Sequence, residues 1–224
     1  MRPDPGSDRN RLRVHDLSGI TRLPPAYSGM RIGLFGGSFN PPHEGHRLVA
    51  LQALRRLGLD AVWLLVSPGN PLKDHAELAP LAERVLATRQ VVDHPHVRVT
   101  GFEAERGFAY TYQTLRFLRA SRPGVKFVWI MGADNLSQFH RWEHWREIAR
   151  LMPIAVYVRP GSSRKAPVSP AALALERYRI DEGDARLLAD AQAPAWVYLH
   201  GLMSTLSSSA LRRSGVKDVA ATRL

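Results

Sequence analysis

The chain has 224 residues, 45% apolar and 23% charged, which suits one globular domain with a sizeable core. It contains no cysteine, which excludes disulfides, zinc-thiolate sites and thiol nucleophiles, and no apolar run approaches the roughly 20 residues that span a bilayer. Its 31 Lys and Arg against 20 Asp and Glu leave a formal charge of +11, a balance that suits nucleic acid, an anionic membrane or small polyanions; scattered as they are, the basic residues read first as a solvated surface.

Residues 1–29 are rich in Pro, Gly, Ser and Arg without a sustained period, and a flexible extension is expected there. They lack the apolar core of a secretory signal, so the cytoplasm is the expected location, and Met30 is a candidate translation start. From Met30 the pattern changes to "MRIGLFGGS", a strand ending in glycines, followed by "EGHRLVALQALRRLG", in which Leu48, Leu51, Ala53 and Leu54 keep helical spacing and Gly58 marks the stop. "AVWLLVS" predicts a strand, "LAPLAERVLATRQVVD" a helix and "HVRVT" a short strand. Next come a helix in "AYTYQTLRFLRAS", a strand in "KFVWIMG", a helix in "HRWEHWREIARL", strands in "PIAVYVRP" and "AWVYLHG", and a last helix in "SSSALRRSG". Strands that are apolar throughout and alternate with helices predict a doubly wound α/β domain, a parallel sheet covered on both faces. It is expected over residues 30–215, followed by a tail, 216–224. The stretch 161–194 aligns with no motif and reads as turns followed by an Ala- and Leu-rich helix, an elaboration too short to bury a core of its own.

In such folds ligands bind beyond the carboxyl ends of the strands, where strand order reverses, and "GLFGGSFNPPHEGH" sits at the first strand-to-helix junction. Gly36 and Gly37 tolerate unusual backbone angles and leave room for a ligand, while Pro41 and Pro42 stiffen the turn. His43 and His46 stand one helical turn apart at a helix start, where free amides and the positive dipole end already favour an anion, so a phosphate is the expected ligand. Neither the P-loop nor the dinucleotide fingerprint occurs at this junction. Far downstream, "TLSSSALRR" supplies Ser207, Ser208 and Arg212 at another helix start.

A buried strand, Gly-Gly, a Pro-rich turn, His-x-Gly-His and a helix together resemble the signature of the HxGH nucleotidyltransferase superfamily, and "TLSSSALRR" resembles its I-S-S-T-x-x-R segment, with Leu206 for Ile and Ser209 for Thr. "SPGNPLKDH", "FAYTYQTL" and "MGADNLSQFHRWEHW" resemble segments of the bacterial nicotinate mononucleotide adenylyltransferases, a likeness that covers about Met30 to Gly215. That resemblance implies a Rossmann-like nucleotidyltransferase fold and adenylyl transfer from ATP to nicotinate mononucleotide in NAD biosynthesis, with Mg²⁺ held mainly by substrate phosphates. It implies that His43, His46 and Arg212 are catalytic, and that Gly36, Gly37, Ser38, Phe39, Gly132, Asp134, Ser207 and Ser208 join them around ATP. Asn70, Lys73, Tyr110, Thr111, Trp142 and Glu143 would hold the mononucleotide, Trp142 by stacking on the nicotinate ring, with no protein-built metal site. Asn40 departs from the Asp of many relatives, a mild change in a loop residue that bonds its own turn. Nucleic acid and membrane are not expected partners; a homo-oligomer is left open. The competing readings are a relative using nicotinamide mononucleotide or phosphopantetheine, and a basic nucleic-acid-binding module.

Overall fold

The structure, a computed structural model, describes residues 18–69, 78–158 and 166–201. Its strands are β1 (Arg31–Gly37), β2 (Ala61–Val66), β3 (Val97–Thr100), β4 (Lys126–Gly132), β5 (Ile154–Tyr157), β6 (Arg179–Ile180) and β7 (Trp196–Leu199). They form one sheet in the order β3-β2-β1-β4-β5-β7-β6, with every neighbouring pair parallel. The helices are α1 (Ser18–Thr21), α2 (Glu44–Arg56), α3 (Leu81–Val91), α4 (Phe102–Glu105), α5 (Thr111–Ser121), α6 (Ala133–Gln138), α7 (Trp145–Leu151) and α8 (Pro170–Ala174).

Successive strand side chains point to opposite faces, so each strand feeds two cores. Ile32, Leu34, Trp63, Leu65, Phe127, Trp129, Ile154, Val156 and Trp196 face one layer, closed by α4 to α8. Phe35, Val62, Leu64, Val66, Val128, Ile130, Ala155 and Val197 face the other, closed by α2, α3 and the 3₁₀ turns of residues 182–190. All six residues of β2 are buried, which is why the run reads as unbroken apolar sequence. The doubly wound parallel sheet is the expected one, and Gly58, with φ +60°, ends α2 as the sequence predicts.

Several local expectations are corrected. The helix expected over "HRWEHWREIARL" begins only at Trp145: Phe139–Arg141 is a 3₁₀ turn, Trp142 is extended and His144 is left-handed at φ +53°. Both indoles pack edge-on against the fully buried Phe139, at ring separations of 5.5 Å for Trp142 and 5.8 Å for Trp145, so packing around one ring mimics a helical stripe. The Ala- and Leu-rich helix is replaced by α8, a 3₁₀ turn at Glu176–Tyr178, strand β6 and the 182–190 turns. Ser169 caps α8 over Pro170, Leu175 ends it by accepting a bond from the Trp196 indole at 2.8 Å, and β7 then draws Arg179–Ile180 in as an edge strand.

The extension expected over 1–29 is held to the sheet in its described part. Ile20 is buried, its carbonyl accepts from the Gly101 amide at 2.9 Å, and the Thr100 hydroxyl donates to the Arg22 carbonyl at 2.9 Å. Gly36 and Gly37 do not use the unusual backbone angles expected of them, since neither has positive φ; the residue of that turn in the left-handed region is Phe39, at +46°. A Cβ on Gly36 would lie 2.5 Å from Trp129 Cη2, so this glycine makes room for the indole of the neighbouring strand. Gly36→Ala is expected to destabilise the fold by about 1–3 kcal/mol through overpacking, read as a lower urea midpoint; an unchanged midpoint would show that the indole moves aside freely.

Candidate active site

Strand order runs outward from β1 to β3 on one side and from β4 onward on the other, so the reversal falls between β1 and β4. A crevice beyond the carboxyl ends of those two strands is where this topology binds ligands. Each crossover helix runs back against the strands, which brings helix starts to the same edge. Gly36, Gly37, Ser38 and Phe39 therefore stand on one lip, at the end of β1, and Gly132 and Asp134 on the other, at the end of β4.

On the first lip, the Asn40–Pro41 peptide is cis and His43 caps α2 in an extended conformation. The His43 amide donates to His46 Nδ1 at 3.1 Å, and the two imidazoles lie 3.8 Å apart at 32°. A backbone N–H can only donate, so Nδ1 keeps its lone pair and the neutral His46 ring carries its proton on Nε2. Phe39 packs on the His46 ring at 4.8 Å, and both histidines are buried. The arrangement fixes ring orientation at the positive end of a 13-residue helix and can offer N–H donors to an anion.

On the second lip, Gly132 caps α6 and Asp134 is exposed in its first turn. Burial raises the Tyr198 phenol, Arg179 opposes that and Asp134 adds to it, so the carboxylate is within electrostatic reach of the end of β7. That end is fixed to α2 by Glu182, which accepts from Arg56 at 2.6 Å and the His200 amide at 2.8 Å; burial works against ionisation, but these bonds and the His200 ring hold Glu182 down at about 2.

A third group sits at the starts of α5 and α7. Tyr110 caps α5, exposed, with Thr111 partly buried beside it, and the Gln113 side chain accepts from the Ala109 and Tyr110 amides at 2.9 and 3.1 Å. Tyr112 meets the His144 ring at 4.5 Å, which brings the α5 start against the segment carrying the partly buried Trp142 and the exposed Glu143. Asn70, Lys73, Ser207, Ser208 and Arg212 lie outside the described residues. Among the described residues no group of three His, Cys, Asp or Glu could hold a metal ion. Sequence reasoning overlooked Arg84 and Glu103. The signal for the first was an Arg set between Leu81 and Val85, on the side of α3 that faces the core.

The sheet order and the histidine-bearing turn are those of a nucleotidyltransferase, and residues 34–214 match the cytidylyltransferase-like family, to which the chain therefore belongs. Within it, the chain is 56% identical to proteins named "probable nicotinate-nucleotide adenylyltransferase" in Mesorhizobium japonicum, over 85% of this chain and 98% of the relative, and in Agrobacterium fabrum, over 83% and 99%. It is a member of the nicotinate-nucleotide adenylyltransferase family. The fold is shared with the Plasmodium falciparum nicotinic acid mononucleotide adenylyltransferase solved in complex with NaAD, at TM-score 0.62 and 15% identity over 84% of this chain and 85% of that one.

Glu103, on α4, accepts from the buried Thr114 hydroxyl of α5 at 2.6 Å, one helical turn from Thr111. Burial pushes its carboxyl up to about 7, and the Thr114 bond only partly opposes this. Between its ordinary value and 7 the folded chain retains a proton that the unfolded chain has released, so this group's stabilisation is full at lower pH and is lost as pH rises through that window. Glu103→Gln is expected to flatten this part of the stability profile, removing on the order of 1–3 kcal/mol of pH dependence; urea midpoints of both proteins from pH 4 to 8 test it, and identical slopes would refute it.

Proposed function

We propose that the protein transfers the adenylyl group of ATP to nicotinate mononucleotide, releasing pyrophosphate and forming nicotinate adenine dinucleotide, in the cytoplasm. The observation that carries this reading is the oriented pair His43 and His46 at the start of α2, beside the strand reversal. The names of relatives at 56% identity support the choice of acceptor.

A phosphate oxygen of the mononucleotide attacks the α-phosphorus of ATP in line, the new P–O bond forms, and the bond to the β-phosphate oxygen breaks with its electron pair leaving on pyrophosphate. A phosphate monoester is already ionised near neutral pH, so no strong general base is needed. What remains is to bring two anions together and stabilise the charge that develops. His46 Nε2–H and the His43 ring donate to ATP phosphate oxygens, and Arg212 is assigned to the same charge. Gly132 and Asp134 receive the adenosine, Asp134 through its ribose hydroxyls. Trp142 stacks on the nicotinate ring, Thr111 lies beside it, and main-chain amides near Glu143 take the ring carboxylate. Asn70 and Lys73 are assigned to the mononucleotide phosphate and ribose. The imidazole-rich donor set suits phosphate better than a hard cation, and Mg²⁺ is proposed to arrive on the nucleotide phosphates, lowering their charge.

Pyrophosphate release with Mg-ATP is measured with nicotinate mononucleotide, nicotinamide mononucleotide and phosphopantetheine in parallel, with products identified by mass. Turnover with the nicotinate compound is expected; turnover only with another acceptor would discard the ring pocket, and none with any acceptor would favour a nucleic-acid-binding module. His46→Ala is expected to lower kcat by roughly 10²–10³-fold with the fold intact, as removal of an oriented transition-state donor does; unchanged turnover in a folded variant would sink the assignment. Trp142→Ala is expected to raise KM for the mononucleotide roughly tenfold while that for ATP stays nearly constant, and equal effects on both would reject stacking.

A further inference from the structure

Arg84 is 2% exposed, yet among the described residues its guanidinium bonds main-chain carbonyls. Nε donates to Ala79 O at 2.7 Å, Nη1 to Ser38 O and Ser67 O at 2.8 Å each, and Nη2 to Pro68 O at 3.4 Å. Ser38 follows the last residue of β1 and Ser67 the last of β2, and the Ser67 amide donates to Gly37 O at 2.9 Å in the last rung between them. Past that rung the ladder ends, and among the described residues the next carbonyls, of Ser38 and Ser67, have no backbone partner. A buried carbonyl left unbonded loses its hydration without return. The guanidinium reaches into this gap from α3, and Asn40 reinforces it by accepting from the Ala79 amide at 3.3 Å.

Resting on the adenylyl-transfer reading above, we infer that Arg84 is the positioning residue of the active site: its planar fork clamps the ends of β1 and β2 and thereby sets the turn that aims His43 and His46. The reasoning is geometric. From Ser38 to His43 the chain has only four intervening residues, two of them the stiff Pro41 and Pro42, so a displacement at Ser38 is passed on to the histidines rather than absorbed. Four carbonyls spread over three segments can be reached by a fork with five N–H groups; an ammonium, with three N–H on one nitrogen, cannot meet them together. No carboxylate partner is needed for this task, and none would perform it, because the oxygens to be held belong to the backbone.

The test compares Arg84→Ala, Arg84→Lys and Val85→Ala. Val85 is buried on the same helix, so its truncation loosens α3 without touching the four carbonyls. Steady-state kinetics are run well below every melting temperature, alongside hydrogen exchange at the Ser67 and His43 amides. Both Arg84 variants are expected to lose roughly 10- to 100-fold in kcat with smaller changes in KM, the scale of a small misplacement of catalytic groups. Those two amides are expected to exchange faster than in the wild type, and Val85→Ala to keep both properties. Wild-type kcat in Arg84→Lys would overturn the requirement for the fork. A kcat loss no larger than that of Val85→Ala, or unchanged exchange at both amides, would overturn the positioning role. Should Arg84→Ala fail to fold, Arg84→Lys carries the same comparison. If the wild type itself releases no pyrophosphate, the functional reading fails and amide exchange alone decides whether the clamp exists.

Discussion

Burial on both faces of a parallel sheet is the constraint on which the rest of this structure depends. With helices above and below, the central strand positions are apolar or small, and charged residues such as Arg31 and Lys126 stand at the strand starts. The alternation of Ile32, Leu34 and Trp63 into one core with Val62, Leu64 and Val66 into the other uses up the side-chain positions of β1 and β2. Polar function is driven to the carboxyl edge, and the strand reversal between β1 and β4 selects where along that edge. Gly36 belongs to the same constraint, since it yields its side-chain volume to Trp129 just before the strand ends.

At that edge the difficulty changes from packing to polar satisfaction, because backbone groups leave the ladder while still shielded from water. The structure answers with side chains that bond main chain. Arg84 takes four carbonyls, Gln113 takes two amides at the α5 start, Glu182 takes the amide that follows β7, and His46 takes the amide of His43. Arg84 and Glu182 thereby join segments distant in sequence, while Gln113 and His46 close their own helix starts. The two left-handed non-glycine residues among those described, Phe39 and His144, fall in the turns carrying the histidine pair and Trp142. Such conformations persist where neighbouring contacts over-determine them, and the ring contacts of Phe39 with Phe35 and His46, and of His144 with Tyr112, are of that kind.

The strands and the β1–α2 turn were legible in the sequence because they rest on local signals: apolar runs of strand length, a Pro-rich turn and two histidines one helical turn apart. What escaped depends on packing and pairing that no local pattern announces. The break before α7 is hidden because Trp142 and Trp145 keep helical spacing while packing on Phe139. Strand β6, only two residues long, exists because β7 offers it an edge. The hold of Ile20 on β3 cannot be read from a stretch whose composition looks like a tail. Arg84 and Glu103 were visible as charged residues beside apolar neighbours, but their acceptor and donor, Ser38 and Thr114, lie 46 and 11 residues away.

The choice of backbone carbonyls rather than a carboxylate around Arg84 has an electrostatic consequence. An Arg–carboxylate pair would bring no net charge to the interior, whereas a guanidinium bonded to neutral oxygens is anchored without being cancelled. Burial alone lowers its proton affinity, from a value so high that the group stays ionised. A fixed positive charge is thus held against Ser38, at the start of the turn that carries the two imidazoles and leads into a helix N-terminus. Under the proposed adenylyl transfer, two anions that must approach each other would be favoured by charge they do not touch, because field from a preorganised source needs no rearrangement when the transition state forms. One side chain thereby holds the start of the histidine-bearing turn and brings a charge to it, so hydrogen-bonding shape and charge there cannot be apportioned to separate residues.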